Sequence, residues 1–393
     1  MKVLIAPMAA IAETSGPFSR AKALAVGLLR KGDIPAFCAA KDINYQPVEG
    51  VREYFAPLPS PMGLPMAIGK RAFGFAQRLG IQQRRNVHSF EEVLFIVGAI
   101  KESFFAEDVL AVRKAIREFK PDIVHAEFRP AAIVAARMEN IPVSTGYSYP
   151  ARKAYASSPQ YSKDVRHYLK QQGLEEIESV LDIFEWADLK IVPSCYELEP
   201  LDDPKVIFTG PFNTIGIPQT TGNAARNAIV AYMGNGSISY AKQRSALMEA
   251  FKNSRYDVYI ASYQAETAQE GNIHVARRFD FNALLPRTAA FINHGGQNSI
   301  LSGIMAAAPQ IVFPGNVFER QYNADSIERL NIGKRYADAQ FNPSSLGQAV
   351  QSMQDLKGFS ENILCIQSQL AQLGGVDRAI QSLSAIYSTS YAR

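Results

Sequence analysis

Apolar and polar positions alternate along the first half of the chain in the way that predicts strands separated by helices. The segments KVLIAP, DIPAFCAA, DIVHAEF and IPVSTGY are short apolar runs typical of buried strands. Between them, residues 18–30 and the segment VLAVRKAIREF carry apolar side chains at helical spacing, and Pro121 stops the second of these helices. Strands that alternate with helices predict a parallel sheet with right-handed crossover connections.

A second alternating series follows the segment GPFNTIGIPQTTGNAARN, whose Gly, Pro, Asn and Thr residues indicate a linker. Its strands are AIVAYM, YDVYIA, IHVA, AAFIN and QIVF, and its helices lie near 239–252, 297–307, 319–330 and 343–354. We therefore predict an α/β protein with two open sheets. Its parts are an N-terminal domain (1–210), a linker (211–227), a C-terminal domain (228–375) and a last helix (376–393) that packs toward the N-terminal domain. Ligands bind such sheets at the carboxyl ends of their strands, so the cleft between the domains is the expected site.

Length and composition agree with this organisation and exclude several classes of protein. A chain of 393 residues favours two domains, and 47% hydrophobic with 20% charged residues is typical of a globular protein. The formal charge of +4, with scattered Lys and Arg residues, predicts no nucleic-acid partner. No apolar run approaches about 18 residues, so no integral membrane segment is expected.

Cysteine and histidine usage indicates a reducing compartment and no metal centre. Cys38, Cys195 and Cys365 lie far apart without metal-binding spacing, and the chain has only five histidines. The N-terminal segment MKVLIAPMAAIAETSG imitates a secretion signal, but its single Lys and the interrupting Pro7 favour a first strand. We therefore predict a cytoplasmic protein.

The segment INHGGQNSI joins a buried strand to a helix and has the chemistry of an anion site. Gly295 and Gly296 leave the backbone open to close approach, and the helix behind them directs its N-terminal amides and its dipole at the same point. His294 can donate a hydrogen bond there, beside Asn298 and Ser299. Phosphate or diphosphate is the favoured anion, although an ordinary strand-to-helix turn is the alternative.

Three other segments supply the remaining parts of a nucleotide-sugar site. GNGS ends another strand with a glycine turn and Ser237. FDFN offers the flat ring of Phe279, with Asn282 shortly after it, and FERQYNA places Glu319 and Arg320 at a strand-to-helix turn. A stacking ring, an anion turn and an acidic group in this order suit the base, the diphosphate and the sugar of a nucleotide sugar.

All of these motifs except GNGS stand together in RFDFNALLPRTAAFINHGGQNSILSGIMAAAPQIVFPGNVFERQYNA, which resembles the inverting GT-B glycosyltransferases. That UDP-glycosyltransferase-like family includes plant and bacterial natural-product and lipid glycosyltransferases. SGPFSRAKALAVGLLRKG and KPDIVHAEF resemble, more loosely, its first helix and its acidic strand end. The resemblance implies a GT-B fold, in which two Rossmann-like domains face a central cleft and the C-terminal helix crosses back to the N-terminal domain.

The resemblance also implies roles for individual residues. Phe279 would stack on the nucleobase, with Asn282 shortly after it, and Glu319 would bind hydroxyls of the donor sugar. The residues expected at the donor diphosphate are Ser237, His294, Gly295, Gly296, Asn298 and Ser299.

Two donor positions depart from the family pattern. Ser302 stands where an acidic residue usually holds the ribose hydroxyls, and serine cannot form the same bidentate, charge-assisted hydrogen bonds. Arg320, also expected at the donor, stands where glutamine is usual and replaces an amide by a permanent cation. The sugar and the nucleoside, uridine or thymidine, therefore stay open.

The family's usual general base is missing, because Pro17 stands where a histidine commonly follows the glycine of the first loop. Glu127 occupies the position whose acid normally orients that histidine. We expect it to lack a partner, to have a raised pKa through partial burial and to act as the base. Glu13 on the first loop is the second candidate and His125 the third. Alternatively, the acceptor is already acidic and needs little base.

The sequence thus predicts a hexosyltransferase that moves a hexose from a nucleotide-diphosphate sugar to a small-molecule acceptor, with inversion and without a metal or other cofactor. Residues 55–105 and the segment GYSYPARKAY are expected to hold an acceptor with apolar surface. A non-catalytic nucleotide-binding partner or activator protein is the alternative. A nucleotide-sugar epimerase needs a carboxylate that HGGQNS does not supply. The oligomeric state stays open, with a homodimer among the alternatives.

Overall fold

The computed structural model describes residues 1–9, 16–61, 86–212, 226–354 and 358–391. These residues form two compact units, each built round a seven-stranded sheet. The first unit contains the described residues up to 61, from 88 to 212 and from 373 onward, and the second contains the rest. Most of the predicted linker lies outside the described residues, and the predicted domain boundaries stay predictions.

The sheet of the first unit is parallel throughout, in the order β3-β2-β1-β4-β5-β6-β7. Its strands are β1 (Lys2–Pro7), β2 (Ile34–Ala39), β3 (Arg52–Phe55), β4 (Ile123–Glu127), β5 (Val143–Gly146), β6 (Leu189–Val192) and β7 (Val206–Phe208). Its helices are α1 (Pro17–Arg30), α2 (Phe90–Ile96), α3 (Glu102–Phe119), α4 (Pro130–Met138) and α5 (Lys163–Gln171).

Strand β1 shows why this chain places continuous apolar runs in its strands. Val3 and Ile5 belong to one buried hydrophobic cluster, whereas Leu4 and Ala6 belong to another. Successive side chains of a strand point to opposite faces of the sheet, so each face of β1 supplies a different core. A parallel sheet buried on both faces therefore favours apolar residues at successive positions, and polar ones there need buried partners.

The second unit has the strand order β10-β11-β9-β8-β12-β13-β14, parallel except for the edge strand β10. Its strands are β8 (Ala228–Tyr232), β9 (Asp257–Ala261), β10 (Ala268–Glu270), β11 (Ile273–Ala276), β12 (Thr288–Asn293), β13 (Gln310–Val312) and β14 (Gly333–Arg335). Its helices are α6 (Tyr240–Phe251), α7 (Phe281–Leu284), α8 (Gln297–Met305), α9 (Phe318–Arg329), α10 (Pro343–Gln354) and α11 (Phe359–Gln372). None of the helices in the described ranges is both long enough and apolar enough to cross a membrane.

The last helix, α12 (Gly375–Tyr391), packs on α1 of the first unit, which confirms the prediction that it returns to the N-terminal part of the chain. Ala379, Ile380 and Leu383 are fully buried in the same hydrophobic cluster as one face of α1. A side chain on Gly27 of α1 would overlap with Val376, so the two helices approach closely only because this residue is glycine.

We expect Gly27→Val to weaken the docking of α12, because overpacking a tight contact typically costs about 1–3 kcal/mol. Chemical denaturation should show this loss in the free energy of unfolding. Val26→Ala is the matched control, since Val26 is 49% exposed on the same helix and its truncation should change stability by about 0.5 kcal/mol or less. Equal stability of the two variants would contradict the packing described here.

Candidate functional site

Three loops of the second unit meet at one edge of its sheet. The strands β8, β12 and β13 are neighbours and run parallel, so their carboxyl ends lie side by side. The loop GNGS follows β8, the His-Gly-Gly turn follows β12, and residues 314–317 follow β13 and lead into α9. Segments far apart in the sequence are thereby brought together, as the sequence predicts.

The His-Gly-Gly turn is held in place by two buried asparagines. Gly295 has a φ of +83°, a conformation that favours glycine. Its amide donates to Oδ1 of Asn293 (2.9 Å), and its carbonyl accepts from Nδ2 of Asn323 (2.8 Å). Gly296 then caps the N-terminus of α8 without any side-chain hydrogen bond. The turn is thus fixed from both sides in front of the positive end of a helix.

His294 lies among glycines, and one of its ring nitrogens has no partner. A side chain on Gly296 would come within 2.7 Å of its Nε2, and one on Gly234 within 3.1 Å of its Cε1. The Nδ1 atom is buried without a hydrogen-bond partner in the described part of the chain. Burial and then the charge of Arg320 lower the pKa of His294 to about 3. A hydrogen bond with the backbone of Tyr232 opposes this shift without reversing it. The imidazole is therefore neutral at physiological pH and has a single N–H.

Arg320, at the start of α9, lies beside the same turn. Its Nη1 donates to the carbonyl oxygen of Asn235 (3.2 Å), which ties α9 to the loop after β8. A side chain on Gly295 would come within 3.4 Å of the Arg320 Cβ. Burial lowers the pKa of Arg320, but a guanidinium keeps its charge at neutral pH. The turn therefore has a cation at its side.

Ser237, at the end of the loop after β8, is the third polar residue at this edge of the sheet, with His294 and Arg320. Its hydroxyl oxygen is buried and, within the described residues, has no hydrogen-bond partner. A buried polar atom without a partner costs free energy, so native structures rarely keep one without a ligand or water to satisfy it. The unpartnered atoms of Ser237 and His294 thus mark a place that a hydrogen-bonding ligand can fill.

The other predicted donor residues lie around this edge, and their roles stay predictions. Phe279 follows β11, is half-buried and makes an edge-to-face contact with Tyr259 at 5.3 Å between ring centroids. Asn282 is exposed in the short helix α7, and Glu319 is half-buried in the first turn of α9. Asn298 and Ser299 lie in the first turn of α8, and Ser302 lies one turn further along.

In the first unit, Glu127 is the centre of a buried polar network. It ends β4, is 2% exposed and accepts a hydrogen bond from Nε of Arg20 at 2.7 Å. Its other oxygen lies 3.0 Å from Nε2 of His125, whose Nδ1 is in turn 3.0 Å from the Ser144 hydroxyl. A side chain on Gly146 would overlap with the carboxylate at 2.7–2.8 Å. The carboxylate therefore has no room for a further group on that side.

The expectation that Glu127 lacks a partner and has a raised pKa is wrong. Burial alone would raise its pKa, but the charge of Arg20 and the hydrogen bond and charge of His125 outweigh burial and lower it. The overlooked residue is Arg20, which lies three positions after Pro17 and so on the same face of α1. Glu13, the second candidate base, lies outside the described residues.

A recess near the carboxyl edge of the first sheet lies against part of the predicted acceptor segment. Most of its lining is apolar, and half of it comes from residues 57–105. The ion pair between Asp108 and Arg129, buried at 2.5 Å, forms its polar part. The rest of the predicted segment, residues 62–85, lies outside the described residues. Within those residues, no three His, Cys, Asp or Glu side chains are grouped to hold a metal ion.

The architecture is that of the GT-B glycosyltransferases. The structure of CalG4, the calicheamicin glycosyltransferase, has a TM-score of 0.73 and 17% identity and covers 98% of each chain. The spinosyn rhamnosyltransferase SpnG complexed with thymidine diphosphate has a TM-score of 0.69 and 14% identity, covering 98% of this chain and 100% of that one. These similarities confirm the predicted fold.

The C-terminal part of the chain also matches a family by sequence. Residues 260–372 match the family described as Erythromycin biosynthesis protein CIII-like, C-terminal domain. The NDP-glycosyltransferase YjiC of Bacillus licheniformis is 23% identical over 303 residues, which cover 71% of this chain and 76% of that protein. The resemblance to natural-product glycosyltransferases that the motifs predict is therefore confirmed.

We expect Glu127→Gln to destabilise the first unit, because it leaves the guanidinium of Arg20 buried without its partner, at a typical cost of about 3–5 kcal/mol. The double variant Arg20→Met/Glu127→Gln removes both charges and should recover most of the loss. Chemical denaturation at neutral pH measures both.

The pH dependence follows from the lowered pKa of Glu127. The ion pair stabilises the fold above the ordinary pKa of 4.5, and this contribution is lost as the pH falls through the lower folded value. A single variant as stable as the unchanged protein would show that the ion pair contributes nothing.

His294 should make the stability of the second unit depend on pH at higher values than Glu127 does for the first unit. Below pH 6.5 the unfolded histidine takes up a proton, whereas the folded one does so only near pH 3. Stability is therefore lost as the pH falls from 6.5 toward 3. In His294→Asn, we expect the loss between about pH 7.5 and about pH 5 to be smaller by up to about 2 kcal/mol. An unchanged pH profile in denaturation experiments would mean that the imidazole is not held neutral.

Proposed function

We propose that this protein is a glycosyltransferase that moves a hexose from a UDP- or dTDP-sugar to a small-molecule acceptor, with inversion and without a metal. The observation that carries the proposal is the pair of buried, unpartnered polar atoms on Ser237 and His294, beside the cation of Arg320 and the N-terminus of α8. Together these groups suit a diphosphate. The relatives named above, glycosyltransferases and one complex with thymidine diphosphate, support the same class of ligand.

The reaction needs stabilisation of the charge that develops on the leaving group. The bond between the anomeric carbon and the β-phosphate oxygen breaks while the acceptor oxygen bonds to the opposite face of that carbon. The departing diphosphate gains negative charge, which Arg320 and the backbone amides at the start of α8 would stabilise. In this proposal they supply the positive charge that a metal ion provides elsewhere.

The proton of the acceptor goes to a base or, for an acidic acceptor, is already absent. Glu13 and Glu127 stay the candidate bases. The ion pair with Arg20 makes Glu127 the weaker of the two, because a carboxylate with a lowered pKa is a poorer proton acceptor. The apolar recess near the first sheet edge supports an acceptor with apolar surface.

We expect His294→Ala and Arg320→Gln each to weaken binding of UDP or dTDP by about 10-fold or more, the usual worth of a hydrogen bond to a charged group. Isothermal titration calorimetry measures the affinities, and release of free nucleoside diphosphate measures transfer. Arg320→Gln is the more informative variant, because it removes the positive charge and leaves a side chain that can still donate a hydrogen bond.

Gly347→Ala is the control, since a side chain there meets nothing within 4 Å. A chelator should leave the turnover unchanged, and NMR of the product should show the inverted anomer. Nucleotide affinities that are equal in all three variants and the unchanged protein would overturn the proposal.

A further inference from the structure

A third buried polar atom without a partner in the described residues belongs to Asp338, beside the proposed diphosphate site. This residue follows β14, and its Oδ1 has no hydrogen-bond partner among the described residues. Of the seven side-chain polar atoms in that condition within the described ranges, three are on Ser237, His294 and Asp338. Their concentration at one sheet edge indicates a site with an absent occupant, not scattered packing defects.

Gly315 shows that Asp338 and Ser237 face a common space. A side chain on Gly315 would come within 2.7 Å of the Ser237 hydroxyl and 3.6 Å of Oδ2 of Asp338. Gly315 has a φ of +60°, so glycine is favoured there and the space stays open. Lys242 donates to the main-chain oxygen of Asp338 (3.2 Å), which fixes the backbone of this loop.

The strand order gives the position of this space along the site. From one end to the other, the sheet runs through β11, which precedes Phe279, then β9, β8, β12, β13 and finally β14, which precedes Asp338. If the base lies near β11 and the diphosphate at β8 and β12, the remaining part of the donor extends toward β13 and β14. Asp338 is then on the side of the sugar.

We propose that Asp338, beside Ser237, accepts a hydrogen bond from a hydroxyl group of the donor sugar and thereby selects the sugar. The inference rests on the proposed function. A carboxylate repels a diphosphate but accepts hydrogen bonds from a hydroxyl, and charge-assisted hydrogen bonds of this kind are strong. The positive charge of Arg320 already acts on Asp338, which favours a neutral hydroxyl over an ammonium group.

The test compares Asp338→Asn with the unchanged protein, by calorimetric titration with UDP or dTDP and with the corresponding hexose donor. We expect affinity for the hexose donor to fall about fivefold to tenfold, the difference between a charge-assisted and a neutral hydrogen bond. Affinity for the nucleoside diphosphate alone should not change. Monodeoxy donors then identify the hydroxyl, because its removal should weaken binding to the unchanged protein more than to Asp338→Asn.

The stability of the free protein gives an independent reading. An unpartnered buried carboxylate oxygen destabilises the fold, so Asp338→Asn should raise the melting temperature without ligand. Glu249→Gln is the matched control, because Glu249 is exposed on α6 and its charge should affect neither measurement.

The two proposals fail in different ways. If Asp338→Asn changed the affinities for the donor and for the nucleoside diphosphate equally, or changed neither, the sugar subsite would be wrong while nucleotide binding stood. If the unchanged protein bound neither ligand, the proposed function itself would be wrong.

Discussion

The hydrogen bonds that Asn293 and Asn323 make to the backbone of Gly295 are the constraint on which the candidate site depends. They hold a left-handed glycine between a buried strand and the start of α8, so that His294, the helix amides and Arg320 surround one point. Asn293 is further held by Gln310, whose own amide binds the carbonyl of Ile300 in α8. The position of the turn is thus set by buried amide side chains and needs no bound ligand.

Buried charged side chains of the first unit have partners, whereas three buried polar atoms at one edge of the second sheet have none in the described part of the chain. In the first unit, Glu127 is satisfied by Arg20 and His125, and Lys190, 1% exposed, is satisfied by Glu185 and Asp203. In the second, polar atoms of Ser237, His294 and Asp338 stay without partners. Unpartnered polar atoms also occur elsewhere in the described residues, as on Tyr54 and Ser60 of the first unit, whereas these three share one sheet edge. The unsatisfied group is therefore better explained by function than by poor packing.

Sequence periodicity predicted most elements because a buried parallel sheet demands apolar runs. The fourteen-residue helix α1 and the strands β8, β9, β11 and β12 were evident for that reason. The short strands β3 and β14 could not be predicted, because their segments REYF and GKR have no apolar run. Strand β6 could not be predicted either, because Lys190 interrupts the apolar run LKIV. The candidate residues of the donor site could be predicted, because each belongs to a short motif that is continuous in the sequence. Arg20 could not, because its partner Glu127 comes from a distant segment, and Asp338 could not, because Gly315 and Ser237, which lie at the same space, are also distant in the sequence.

The return of α12 to α1 has a consequence for how the chain folds during synthesis. The helix that completes one of the hydrophobic clusters of the first unit leaves the ribosome only after the entire second unit has been made. Until then, the face of α1 around Gly27 has no cover. The nascent N-terminal portion therefore exposes hydrophobic surface until synthesis is complete. A fragment ending before residue 373 should depend on chaperones more than the whole chain does.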